Sequence, residues 1–449
     1  MRPSTDSQPA TTHPYDYYYR PGMPLRPPPS RAIASDLWYE PRKAMLSPWM
    51  PVFREPRETP RTRLMADHLW QGDEPMDAVV AAFRRPGAAG GRRMLNQALA
   101  HGIDSVDEPP AALVNLFARI DNPPQWYDPD LWEHGRRLWV DVSTAGKMAM
   151  GVQDFMGTFV GAEVASAVGE TGRFVRDPYR RNLETSVWFG SVTAPGALER
   201  RSPILHDTVR VRLMHAQVRA MLRRRWGTEH FASHGNPISN ATTMGAAVTF
   251  GLTPICFDHV HGRRRTTKQL DAVMHYWAYI AYCFGVADEL IPRSAAEGME
   301  MVDYMVATAG VAPERTAAMA GAATRAFADR SLPGRARIAA TAPLVGALAF
   351  YSSEPLVRTL LADTPLRDVP VRPWAGATAL ATTAAVRLRA LDDRLPGARR
   401  RMIRRTAGSD PFWGRNIRIA RFLAARAGIH GTPFDHHDAS ADGIAGCPV

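Results

Sequence analysis

The chain is poor in cysteine, in lysine and in long apolar runs, and each shortage removes a class of protein. Only Cys256, Cys283 and Cys447 occur in 449 residues, without C-x-x-C spacing. That argues against a disulfide framework and a cysteine-rich zinc site. Without C-x-x-C-H, covalent c-type haem is excluded too. The longest apolar runs, Ile338 to Tyr351 and Trp374 to Val386, fall short of the roughly 20 residues that cross a bilayer. They are expected as buried helices, with room for no more than shallow membrane contact. Residues 1–30 hold no apolar signal core and no twin-arginine pair, so a cytoplasmic location is expected. Neither a P-loop nor a strand-linked G-x-G-x-x-G is present, and no G-x-S-x-G. Nucleotide binding and an α/β-hydrolase therefore lack support.

What is present reads as helix. Apolar residues make up 45% of the chain, enough for a real core. Ala is abundant and β-branched residues rarely cluster, which favours helix over sheet. The net charge is +11, carried almost wholly by Arg. The basic residues read as scattered, so an arginine-favouring genome explains them better than nucleic-acid binding does.

Thirteen of the 37 prolines fall in the first 60 residues, and proline both fixes φ and removes an amide donor. Residues 1–45 are expected as an extended Pro/Tyr-rich arm that either wraps the body or stays disordered, with Tyr15–Tyr19 and Trp38-Tyr39 as docking points. Residues 431–449 lack Lys and Arg and read as a loose tail. Between them, residues 46–430 show apolar spacing of three and four. Helices are expected near 75–85, 92–101, 110–120, 130–168, 179–193, 207–226 and 240–250. Others are expected near 266–286, 296–308, 313–328, 336–362, 374–392 and 411–427. The expected fold class is all-α, a single large helical domain.

Two segments carry chemistry. In Asp207 to Leu222, Val211, His215, Val218 and Leu222 share a helical face that is apolar except for the histidine. Arg212 and Arg219 stand three before and four after it. A neutral imidazole on an apolar face suits haem iron as a proximal ligand. Flanking guanidiniums suit haem propionates, because Arg pairs with carboxylates in a planar, bidentate way. A lone histidine on such a face is, by itself, more often a core residue. Upstream, Arg181, Glu184 and Thr185 are spaced i, i+3, i+4 and share a face. They could line a polar pocket or form an ordinary surface ion pair.

The pair Arg181-x-x-x-Thr185, followed by Arg212-x-x-His215-x-x-x-Arg219, resembles the latex-clearing-protein (rubber oxygenase) superfamily. That group includes the fungal oxygenase of mycophenolic acid biosynthesis. Gly235-Asn-Pro-Ile-Ser-Asn240 and the run from Met274 through Trp277 to Gly285-Val-Ala-Asp288 agree in order. The resemblance implies a globin-like helical core holding haem b, and oxidation of an apolar, often isoprenoid or other alkene-containing, small molecule with dioxygen. It implies His215 as iron ligand, Arg212 and Arg219 as the propionate neighbourhood, and Arg181 and Thr185 on the distal side. Glu184 stands where latex-clearing proteins have a lysine able to cap the iron, which argues against rubber cleavage itself. The family's upstream base matches Glu163 better than Glu170. Two rival readings are a non-enzymatic haem protein, for gas sensing or haem handling, and a cofactor-free helical interaction protein.

Three further groups hold potential ligands. Asp258-His259-Val-His261 is followed by Arg263-Arg264-Arg265, whose charge opposes a divalent ion, so it reads as a surface loop. Phe434 to Asp438 could hold a metal only adventitiously, in the tail. His275, on the helix that carries Trp277, is a reserve iron ligand, with a core role as the commoner reading.

Overall fold

A computed structural model describes residues 16–171, 178–310, 313–327 and 333–426. Among these the regular elements are helices, and no strand occurs. They run α1 (Tyr39–Leu46), α2 (Pro60–His68), α3 (Glu74–Ala82), α4 (Gly87–His101), α5 (Ala111–Asp121) and α6 (Pro129–Val140). Next come α7 (Thr144–Val160), α8 (Ala162–Thr171), α9 (Pro178–Val192), α10 (Pro203–His234), α11 (Asn240–Val260) and α12 (Thr267–Cys283). The chain continues through α13 (Ala295–Ala307), α14 (Pro313–Phe327), α15 (Gly334–Tyr351) and α16 (Glu354–Leu361). The last described elements are α17 (Val371–Asp392), α18 (Ala398–Arg405) and α19 (Pro411–Arg426).

The fold class agrees with the sequence, and the departures have local causes. The continuous helix expected over 130–168 is three helices. Asp141 ends α6, the Ser143 hydroxyl accepts from the Gly146 amide to start α7, and Gly161 separates α7 from α8. Such a serine satisfies one of the amides that a helix start leaves over. Segment 336–362 likewise divides at Ser352-Ser353, where Ser353 caps α16. In contrast, 207–226 extends to His234, because Gly227 takes a positive φ of 71° and lets two helices join across a kink. Helices α1, α2 and α18 were not expected; each is only eight or nine residues long, too short for its periodicity to stand out.

The arm is partly helical at its end, since α1 starts at Tyr39. Its earlier part is laid along the body by its tyrosines. The Tyr17 hydroxyl donates to Asp67 (2.8 Å), the Tyr18 hydroxyl donates to Asp77 (3.0 Å), and the Tyr19 amide donates to Gln71 (2.6 Å). Tyr15 and the segment Phe434 to Asp438 lie outside the described residues.

Helices α11 and α12 form the middle of the molecule, with α6 packed on α12 and α7 on α11. Helix α11 is apolar over most of its circumference, as a helix enclosed by others must be, while α12 keeps one polar stripe through Lys268, Asp271 and His275. The large core built on them takes in Trp139, Met244, Trp277 and Ile280. A second core gathers Val152, Met156, Phe159, Met319, Val345 and Leu356 from α7, α14, α15 and α16. Helix α7 serves both, with Met150 in the first core and Val152 in the second.

Asp258 corrects the surface-loop reading. It sits near the end of α11, 2% exposed, accepting from the Ser143 amide (3.0 Å) and pairing with Arg263 (3.2 Å). Beside it, Asp141 collects four guanidiniums: Arg263 at 2.5 Å, Arg389 at 2.6 Å, and Arg265 and Arg405 each at 3.1 Å. Burial pushes the Asp141 carboxyl up, but these cations, Arg263 foremost, outweigh it and hold it below the ordinary carboxylate range. The cluster ties α17 and α18 to the end of α6.

Candidate active site

A cavity of about 790 Å³ lies where the two cores meet, lined from both. That is within the roughly 300–1,000 Å³ usual for ligand pockets. Its walls are mostly Met, Val, Leu, Ala and aromatic side chains.

His215 stands in one wall. From the same helix, α10, Val211, Met214 and Val218 line the cavity with it, and its ring lies 6.0 Å from that of Phe284. Glu184 and Thr185 of α9 line the same cavity, Glu184 only 4% exposed. The Trp188 indole, one turn further along α9, donates to the Thr208 hydroxyl of α10 (3.3 Å) and holds the two helices in register. The structure thus gathers His215, Glu184 and Thr185 around one space. Glu163 falls in α8 and Arg181 in α9, but their side chains lie outside the described residues. Val164, Ala167 and Val168 of α8 do line the cavity. Glu170 is paired with Arg225 at 3.0 Å.

Arg212 and Arg219 are placed differently from the expectation. Neither lines the cavity. Arg212 forms a bidentate pair with Asp73, one arm at 2.8 Å. The Arg219 Nε donates to Asp77 (2.9 Å), and another of its nitrogens donates to the Ile238 carbonyl (2.8 Å). The reason is angular. At 100° per residue, Val211 and Val218 are rotated about 40–60° from His215 one way, and Arg212 and Arg219 about 40–60° the other. The histidine sits on the border between a cavity-facing stripe and a stripe facing α3. Burial alone would pull both guanidiniums down, but Asp73 and Asp77 more than offset it and hold them above the usual arginine range. Gly285, at a positive φ of 87°, leaves the room this pair needs, because a Cβ there would strike Asp73 and Arg212.

The reserve ligand His275 does not line the cavity. Its Nε2 is taken up by the Asp128 backbone at 3.1–3.2 Å, and its ring packs by Trp126 and Tyr127. Burial pulls its pKa down. Cys256 and Cys283 are free and buried, and burial pushes both thiols up to about 12. Among the described residues no group of three His, Cys, Asp or Glu could hold a bare metal ion.

One polar pair was missed. Lys147 of α7 lines the cavity, with its Nζ 2.5 Å from Asp410 and donating to the Val140 carbonyl at 2.7 Å. Burial pulls the amine down despite Asp410. A lone lysine inside the apolar stretch Ala145 to Met150 was the available signal. The indole N–H groups of Trp277 and Trp413, two more lining residues, are buried without a hydrogen-bond partner among the described residues.

The described residues thus form a helical protein with an apolar cavity that has one imidazole, His215, in its wall. The family described as ER-bound oxygenase mpaB/B'/Rubber oxygenase, catalytic domain, matches residues 136–407. The chain belongs to this family and is an oxygenase. Among solved structures it is similar to latex clearing protein LCP in the closed state, at 18% identity and a TM-score of 0.45, over 72% of this chain and 91% of that one. No curated protein matches. Among the described residues no helix is long and apolar enough to cross a membrane.

Proposed function

We propose that the protein is a haem b-dependent oxygenase acting with dioxygen on an apolar small molecule, with His215 as the iron ligand. The observation that carries this reading is the meeting of His215, Glu184 and Thr185 on the wall of one deep apolar cavity. The donor set suits haem b: a single imidazole ligand, set in apolar surroundings, is what a proximal haem site uses.

His215 would hold the iron, and Val211, Met214, Val218 and Phe284 would hold the macrocycle. Bound haem would supply the activation of dioxygen. The chain's own groups do the rest. The apolar walls hold the substrate and keep water out. The Thr185 hydroxyl is a hydrogen-bond donor on that wall. The Glu184 carboxyl can hold or take a proton there, a role for which its reach matters more than its charge. Glu163 and Arg181, on α8 and α9, are further candidates for the base and for distal polarity. A carboxyl in place of a neutral amine cannot cap the iron in the same way, which favours a small molecule over polymeric rubber as substrate.

Arg212 and Arg219 act at one remove in this reading. Their ion pairs fix α10 against α3 and so set where the His215 ring stands.

The test is the visible spectrum of protein purified after haem-replete expression, followed by oxygen uptake with a reductant and small terpenoid alkenes. A Soret band with substrate-dependent oxygen uptake is expected. A Soret band without uptake for any alkene would indicate a non-enzymatic haem protein, for gas sensing or haem handling. Its absence would remove haem from the account.

A further inference from the structure

The chain's positive charge is not scattered, as first expected. From Val371 to Arg426 there are 13 Arg and 3 Asp, with no Lys and no Glu, a net of +10 against +11 for the whole chain. Some of these guanidiniums are internal: Arg389 and Arg405 pair with Asp141, and Arg401 pairs with Asp392. Others are exposed, notably Arg399, Arg400 and Arg404 on α18 and Arg415, Arg418 and Arg421 on α19.

The same helices keep large apolar side chains in solvent. The run Trp374 to Val386, expected as a buried helix, buries only a narrow stripe through Thr382 and Val386. Opposite it, Leu380 is 78% exposed and Leu388 67%. On α19, Arg415, Arg418, Ile419 and Phe422 are all exposed and share one helical face. Scattered exposed leucines are ordinary. Exposed apolar residues interleaved with unopposed arginines on one helix face are the pattern of a helix lying in a lipid interface.

The cavity reaches the surface beside the exposed face of α19. Leu344 of α15 and Ile419 of α19 both line it, and they are 48% and 51% exposed. Met148 of α7 also lines it and is exposed.

We propose that this C-terminal face docks on an anionic lipid bilayer, with the cavity mouth turned to the acyl chains. The arginines of α18 and α19 meet headgroup phosphates, and Leu344 and Ile419 reach below them. An apolar molecule dissolved in the bilayer then passes into the cavity without crossing water; this last clause rests on the function proposed above. A nucleic acid would suit the arginines but gives exposed leucines and isoleucines no partner, since such interfaces are strongly polar. A second copy packed symmetrically would set one arginine-rich face against its own image.

The test is co-sedimentation of the full chain with vesicles of phosphatidylcholine alone and of phosphatidylcholine with phosphatidylglycerol, at low and high salt. It needs neither haem nor substrate, so its failure is distinct from failure of the haem reading. Binding is expected to the anionic vesicles, weakening as salt rises. The exposed triple change Arg415→Gln, Arg418→Gln, Arg421→Gln is expected to lower partition roughly a hundredfold. Ile419→Asp, with unchanged circular dichroism, should weaken it further. Equal sedimentation with both vesicle types, or an unaffected triple variant, would overturn the proposal. So would a wild-type chain that binds duplex DNA and leaves the vesicles in the pellet alone.

Discussion

The two long sides of α10 are built from opposite materials. Towards α3 it is latched: Arg212 to Asp73, and Arg219 to Asp77, with Arg223 (3.1 Å) and the Tyr18 hydroxyl on the same Asp77 carboxylate. Towards the cavity it is bare hydrocarbon around one imidazole. The latched side keeps the backbone still, and the bare side leaves a ligand room to be held. A cofactor ligand must not drift by an ångström, so rigidity on one side is what makes an open space usable on the other.

That contrast predicts unequal costs. Arg212→Ala strands the buried Asp73 carboxylate and should cost about 3–5 kcal/mol in chemical denaturation, a large part of a typical domain's stability. Arg212→Met combined with Asp73→Leu removes both charges and should recover most of the loss. If the single variant loses less than about 1 kcal/mol, the latch is ornamental.

The Asp141 cluster is a second latch and adds a pH signature. Its folded pKa is depressed, so its stabilisation is full above the unfolded value, near 3.9, and is lost as pH falls through the lower folded value. Asp141→Asn should therefore cost about 3 kcal/mol at neutral pH. Its denaturation midpoint should change less than that of the wild type across the acid range. An identical acid limb in both proteins would place the pH sensitivity elsewhere.

On the bare side, Met214→Ala removes atoms that already face open space. It should cost about 1–2 kcal/mol, below the 2–5 of a packed Met→Ala change. The smallest effect is expected for Val218→Phe, which grows into the cavity at a stability change within about 1 kcal/mol while lowering haem occupancy in the absorption spectrum. Undiminished occupancy would move the macrocycle away from this wall.

The same contrast explains what could be read in the sequence. The helices were visible wherever they ran long enough to repeat, whereas proline content marked an arm without deciding between docking and disorder. His215, Glu184 and Thr185 were legible because each shares a face with its neighbours in the chain. The fate of Arg212 and Arg219 was not, because Asp73 and Asp77 lie some 140 residues away in sequence and no helical spacing announces them. Lys147 was hidden for the same reason, its partner Asp410 coming from the start of α19. The exposed side of α17 misled because apolar content looks alike whether a helix is enclosed or faces lipid.

The most direct measurement is the visible absorption spectrum of haem-reconstituted wild-type protein beside His215→Ala, before and after reduction. A Soret band is expected in the wild type, and loss of haem retention in a variant that keeps its helical circular dichroism. Wild-type haem stoichiometry in His215→Ala, with an unchanged reduced spectrum, would contradict it.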